Sequence, residues 1–152
     1  MDIDFSEINY LVDPCSRTLH ADYQQFLLSL IGLTVIDITG ENTNEWRVIS
    51  TLLHGNEPSG LIAVHRWLTT ENSLPRPKTN IRIIISSVEA ATHQHLFSHR
   101  YLPDGVDLNR CFNEQAIRNS KDGENKNING YIQRAKLIEA AIREVNPRSI
   151  ID

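Results

Sequence analysis

Hydrophobic residues fall in short runs divided by polar, Pro- or Gly-containing stretches, and the period within each run predicts its element. Residues 1–20 read as irregular, with Pro14 breaking any regular element. Ala21–Leu30 places Tyr23, Phe26, Leu27 and Leu30 on one face of a short helix, with Asp22 in its first turn and Gly32 past its end. Leu33–Thr39 is rich in β-branched residues and reads as a strand. Gly40–Asn44 reads as a polar turn and Trp46–Leu53 as the next strand, so these two strands are expected to be antiparallel neighbours. Leu61, Val64, His65 and Leu68 recur at helical spacing, and His65 on that face reads as a partly buried packing histidine. Thr69–Asn80, with Pro75 and Pro77, is a loop, and Ile81–Val88 is a strongly apolar strand. A helix between two strand runs is most simply a right-handed parallel crossover.

The second half continues that alternation. Ala90–Arg100 holds His93, His95 and His99, which invites a metal reading, but their spacing favours a polar loop or short helix over the sheet edge. Asn113–Gly130 carries five asparagines and several charges and reads as a mobile surface loop. Ile132, Ala135, Ile138, Ala141, Ile142 and Val145 form one stripe of a helix over Tyr131–Val145, with Asn129 as its cap and Asn146-Pro147 as its stop. Ser149–Asp152 reads as the start of another buried strand, and a chain that stops inside an element reads as a piece of something longer. The whole is an α/β fold: one domain over residues 1–152, a mixed, mostly parallel sheet flanked by helices.

Composition changes this picture little. The 152 residues are 40% hydrophobic and 22% charged, ordinary for a soluble globular domain. A net charge of −4 provides no basic face for a nucleic-acid backbone. Cys15 and Cys111 are too few for a disulfide framework and read as reduced thiols in a cytoplasmic protein. Met1–Glu7 is acidic and has no apolar core of a signal peptide, and Phe26–Ile36 is too short and too interrupted to span a bilayer. An open edge on a mixed sheet is expected to favour self-association into homo-oligomers.

The candidate chemistry lies between the strand at Trp46–Leu53 and the helix that follows. His54-Gly55-Asn56-Glu57-Pro58-Ser59-Gly60 turns the chain from one to the other. An imidazole and a carboxylate three residues apart are both zinc ligands, and Gly55 lets the backbone turn between them. Pro58 suits the first helical position. The corner lies at the C-terminal end of a strand, where open α/β sheets place their sites. Alone, His-x-x-Glu also describes an ordinary surface pair.

Read with Arg100-Tyr101 and Asp107-Leu108-Asn109-Arg110, the His54-Gly-Asn-Glu57 corner resembles the zinc carboxypeptidase superfamily, and within it the succinylglutamate desuccinylase/aspartoacylase branch. The resemblance covers residues 46–152. It implies that His54 and Glu57 are two of three protein ligands of a catalytic zinc, and that Asp107 orients the His54 imidazole. It implies that Arg100 stabilises an oxyanion and that Asn109 and Arg110 bind a substrate carboxylate. A guanidinium fork matches a carboxylate bidentately, and a donor aimed at a developing oxyanion lowers a barrier. The ordinary alternative for Arg110 is a surface salt bridge. The Arg100–Asp107 interval is longer than in some members, leaving room for a turn at Pro103-Asp104-Gly105. In the family a histidine follows the strand matched by Ser149–Asp152 as third ligand, and a general-base glutamate lies further downstream. Neither is present here, so the expectation is an N-terminal portion of such a catalytic domain, with His93, His95 or His99 as substitute ligands in second place.

The expected function is a zinc-dependent hydrolase of amide bonds acting on a small molecule or peptide that bears a carboxylate. The competing expectation is a non-catalytic α/β module that binds a small carboxylate. A nucleotide-binding domain ranks below both, because no Gly-rich phosphate loop follows any predicted strand.

Overall fold

A computed structural model describes residues 3–70, 75–102 and 104–152. The chain forms β1 (Asn9–Val12), α1 (Tyr23–Ser29), β2 (Thr34–Ile38), β3 (Asn42–Thr51), α2 (Ser59–Thr69), β4 (Thr79–Ile85), α3 (Val88–Thr92), α4 (Glu114–Arg118), α5 (Ile128–Glu144) and β5 (Ser149–Ile151). Short 3₁₀ turns occupy Leu108–Phe112 and Lys121–Glu124. The five strands form one sheet in the order β1-β2-β4-β3-β5. Three pairings are parallel, and β2–β4 is antiparallel. This is the expected mixed, mostly parallel α/β sheet.

Strand order follows hydrophobicity. Ile83, Ile84 and Ile85 of β4 are fully buried, so β4 packs on both faces and takes the centre of the sheet. On one face Ile36, Ile83 and Ile85 meet Phe26 and Leu27 of α1 and Leu61 and Val64 of α2. On the other, Val35, Val48 and Ile84 meet Tyr131, Ile132, Ala135 and Ile138 of α5. Alternation along the strands sends successive residues to opposite layers. Arg82 stitches this second face to the end of α5: it bonds both Asp37 oxygens, Glu144 and the Ala141 carbonyl at 2.6–2.8 Å.

Several expectations are corrected. Strands β2 and β3 are not neighbours, because the more apolar β4 inserts between them. The expected turn at Gly40–Asn44 mostly belongs to β3, whose polar start bulges between Asn42 and Trp46 and is held by Asn80 and Lys78. Residues 1–20 are not wholly irregular: β1 pairs in parallel with β2. The Asn-rich stretch 113–130 is not simply a loop. Asn113 caps α4 by accepting from Ala116 N–H at 3.0 Å, and Ile117 and Ile128 are buried in the core. Helix α5 starts at Ile128, one turn early, because that residue packs inside; Asn127, not Asn129, holds the cap position. β5 is an edge strand, with Ile150 and Ile151 53% and 59% exposed, not a buried one. Part of the predicted 69–80 loop, residues 71–74, lies outside the described residues, as do Met1 and Asp2. Among the described residues no helix is long and apolar enough to cross a membrane.

Candidate functional site

Parallel strands β3 and β4 end side by side, and the chain leaving β3 is held there by the chain leaving β4. Ser86 N–H donates to Thr51 O at 3.1 Å, Ser87 N–H to Leu52 O at 2.9 Å, and the Ser87 hydroxyl to Leu53 O at 2.8 Å. Between them buried Leu52 adopts φ of +56°, a conformation that costs a side-chain-bearing residue about a kcal/mol or more. That turn swings His54 out of the sheet. Gly55 then allows a close approach: a Cβ there would lie 2.5 Å from the His99 carbonyl oxygen and 2.6 Å from the Ala90 carbonyl carbon. Its N–H donates to Arg100 O at 2.9 Å, so the corner and the Arg100 segment are one unit. Gly60 performs a similar task in the first turn of α2, where a Cβ would collide with Thr51 Oγ1.

His54, buried to 8% exposure, stands between two carboxylates. Nδ1 lies 3.2 Å from Glu57 Oε2 and Nε2 lies 3.1 Å from Asp107 Oδ1. Asp107 is itself held: it caps the 3₁₀ turn Leu108–Phe112, its Oδ1 accepting from Asn109 N–H at 3.0 Å. A neutral imidazole carries one N–H. With that proton on Nδ1, His54 donates to Glu57; with it on Nε2, His54 donates to Asp107 and turns an Nδ1 lone pair toward the Glu57 carboxylate, the tautomer that a bound cation would select. Arg100 completes the cluster, Nη1 donating to Glu57 Oε1 at 2.8 Å and Nη2 lying 3.4 Å from His54 Nε2. The hydrogen bond from His54, and behind it that from Arg100, hold the Glu57 carboxyl below its ordinary range. Tyr101 and then Glu57 hold the Arg100 guanidinium above its own. The Tyr101 ring stands edge-on to His54 with centroids 6.1 Å apart.

The two donors are spaced as neighbouring ligands of one zinc ion would be, a spacing that an ordinary hydrogen bond shares. Zinc–ligand bonds of roughly 2.0–2.2 Å in a tetrahedral shell put neighbouring donors about 3.3 Å apart. The Nδ1–Oε2 separation of 3.2 Å meets that spacing. Among the described residues, no group of three or more His, Cys, Asp or Glu side chains is placed to hold a metal ion. The histidine cluster does not complete one: the His93 and His99 rings lie 4.8 Å apart, and His99 Nε2 is 3.1 Å from Gln94 Oε1. That segment is short helix α3 followed by turns, as its polar reading expected. His65 is the packing histidine it was read to be, 5% exposed, beside Phe26 and donating to His20 O at 2.8 Å.

The remaining predicted residues spread outward. Asn109 lines a cavity of about 680 Å³ together with His54, Glu57, Trp67 and Ile151. Arg110 points further into solvent, its side chain 73% exposed and Nε 3.7 Å from Asp107 Oδ2. Of the turn expected at Pro103-Asp104-Gly105, Pro103 lies outside the described residues; Asp104 and Gly105 both have positive φ, and Gly105 N–H bonds Leu102 O at 3.1 Å. Sequence reasoning missed Leu52, Ser87 and the support from Tyr101. Only Tyr101 left a signal, as the neighbour of Arg100.

Residues 47–144, about two-thirds of the chain and all of β4 to α5, match the model of the succinylglutamate desuccinylase/aspartoacylase catalytic domain. No curated protein and no solved structure matches the chain. The chain therefore belongs to the succinylglutamate desuccinylase/aspartoacylase catalytic-domain family, a family of hydrolases.

Proposed function

We propose that this chain carries part of the active site of a zinc-dependent hydrolase that cleaves an amide bond in an N-acyl amino acid or at a peptide C-terminus. The observation that carries this reading is the His54 imidazole set between Glu57 at 3.2 Å and Asp107 at 3.1 Å. His54 Nδ1 and a Glu57 oxygen would hold the ion, and Asp107 would keep the His54 proton on Nε2, as metal-bound histidines require. Zinc there supplies Lewis acidity to the scissile carbonyl and to an attacking water. Arg100, within reach of the same corner, offers donors to the oxyanion. Asn109 on the cavity wall and Arg110 at its margin take the substrate carboxylate, the latter after letting go of a loose 3.7 Å contact with Asp107. The reading needs a third protein donor and a general base beyond these residues. We place the protein in the cytoplasm, with both thiols reduced.

Zinc titration of the chain and of His54→Ala tests this. With two donors the wild-type chain is expected to bind zinc weakly, and His54→Ala to bind at least tenfold more weakly still, in line with loss of a ligand that outweighs loss of a supporting residue, itself worth about 10–100-fold. Measurable zinc binding by wild type that His54→Ala leaves unchanged would remove His54 from any metal site. One observation favours a second reading, a non-catalytic module for small carboxylates: the described residues supply two donors, not three. That reading predicts carboxylate binding that depends on Arg110 and is indifferent to zinc.

A further inference from the structure

The cavity beside His54 extends well past the corner. Its wall follows α2 from Ser59 to Trp67, about 12 Å at the α-helical rise. His54, Glu57 and Asn109 line it where the chain enters α2, and further along it is bounded by Ile49 of β3, Ala63 and Trp67 of α2, and Ile151 of β5. Ala63 is exposed and Ile151 is 59% exposed, so both side chains face the opening and not the core. A concave apolar wall of this size, continuous with a small set of polar groups, has the make-up of a small-molecule site. Charge separates its two ends. The Glu57 oxygens are engaged by Arg100 and His54, whereas Arg110, 73% exposed, has only its 3.7 Å contact with Asp107. On the β5 wall stands Asp152, which repels an anion. A ligand carboxylate therefore belongs beside Asn109 and Arg110, and an uncharged, apolar group belongs between α2 and β5.

We propose that the substrate is an N-acyl amino acid with a linear apolar acyl chain, which lies along α2 with Ala63, Trp67 and Ile151 as the residues that select its length. This deepens the proposed function and rests on it for the head group, the carboxylate at Asn109 and Arg110 with the amide beside His54. It does not require an ion to be bound, because the tail is held by apolar contact alone. In an N-acyl amino acid the carboxylate and the amide are separated by one carbon, so the acyl chain leaves the corner in the direction of Trp67. A peptide in the same place would set its N–H and C=O groups against Ile49 and Ile151, at a cost for each group left unpaired. An acetyl group would leave the far wall wet. Each further methylene exchanges water for that wall and tightens binding.

The test is a titration of the whole chain, in the presence of a chelator, with N-acylglycines from N-acetylglycine to N-octanoylglycine. Tryptophan emission follows it: Trp67 on the cavity wall reports binding, while Trp46 packs on Arg82 elsewhere. Wild type is compared with Ala63→Glu, Ile151→Ser and Arg110→Ala, with circular dichroism to establish that each is folded. Wild-type affinity is expected to rise roughly threefold per methylene, and so about a hundredfold or more over the series. Ala63→Glu and Ile151→Ser should each weaken N-octanoylglycine about tenfold and leave N-acetylglycine where it was. Arg110→Ala should weaken every member by a similar factor and keep the slope. A flat wild-type series that still depends on Arg110 overturns the acyl site and leaves the carboxylate reading standing. A steep series that neither Ala63→Glu nor Ile151→Ser alters also overturns it, because the chain then lies elsewhere. A steep series sensitive to both but indifferent to Arg110→Ala supports the acyl site and removes the carboxylate from Arg110. If none of the acylglycines binds, both readings fall.

Discussion

Arg134 and Arg100 each hold a glutamate oxygen at 2.8 Å, that of Glu89 and that of Glu57 respectively. The Arg134 side chain is wholly buried and Glu89's is 10% exposed, whereas those of Arg100 and Glu57 are 43% and 51% exposed. Arg134 also donates to the carbonyls of Ser86 and Asp4, and it faces the Phe5 ring with Cζ 5.4 Å from the centroid. It thereby ties α5 to the end of β4 and to the N-terminal segment. Distance alone does not separate the two pairs; the surrounding medium does. Deleting one partner of a buried pair strands a charge away from water, while an exposed pair exchanges its partner for solvent at little cost. Arg134→Ala is expected to lower unfolding free energy by about 3–5 kcal/mol in urea titration. Adding Glu89→Leu should recover part of that loss by removing the stranded charge. Arg100→Ala should leave the urea midpoint where it was. A destabilised Arg100→Ala, or an Arg134→Ala as stable as wild type, would break the distinction.

The same contrast runs through the two thiols. Cys15 is exposed, whereas Cys111 is 2% exposed beside the Asp107 cap. Burial, helped by the Asp107 and Asp122 charges, pushes the Cys111 thiol up from 9.0 to about 11. The folded chain therefore keeps a proton that the unfolded chain gives up above pH 9. Stability from this group is fully present below that pH and falls as pH rises through 11. Two pKa units correspond to roughly 2–3 kcal/mol, visible as a steep alkaline limb in a plot of unfolding free energy against pH. Cys111→Ala should flatten that limb while Cys15→Ala leaves it unchanged. An unaltered limb in Cys111→Ala would assign the loss to other groups, among them Tyr131, whose hydroxyl burial also pushes upward.

How far all this was legible depends on the range over which each feature is encoded. The His54–Glu57 corner spans four residues and sits where a strand period gives way to a helix period, so local pattern reveals it. The stripe of α5 and the apolar run of β4 are legible for the same reason. Asp107 and Arg100 were assigned through resemblance, because meeting His54 and Glu57 across 53 and 43 residues is a property of topology. The order of the strands was not legible from connection length: β2 and β3 are joined by a few residues, yet the greater burial of β4 separates them. Strand β1 escaped because four residues with Tyr10 and Val12 at least half exposed carry no hydrophobic period. The positive φ of Leu52 left no trace at all, since leucine is an unfavourable choice for it. The asparagines of 113–130 misled because the residues that favour loops also favour caps and turns.

The smallest effect tests the comparison from the opposite direction, at a buried polar group that has no grip at all. Thr51 is 5% exposed, at the end of β3 on the wall of the site cavity, and its hydroxyl has no hydrogen-bond partner among the described residues. It lies where Gly60 leaves room for it against α2. If burial is what makes an unmet polar group costly, deleting this one should help. Thr51→Val keeps the branched shape and the β propensity and replaces the hydroxyl with a methyl, so a gain of about 1 kcal/mol is expected. Urea titration should show a higher midpoint at an unchanged slope. A lower midpoint would mean that an ordered water satisfies the hydroxyl, and Thr51 would then belong with Arg134 among the groups whose partners hold the β3 exit in place.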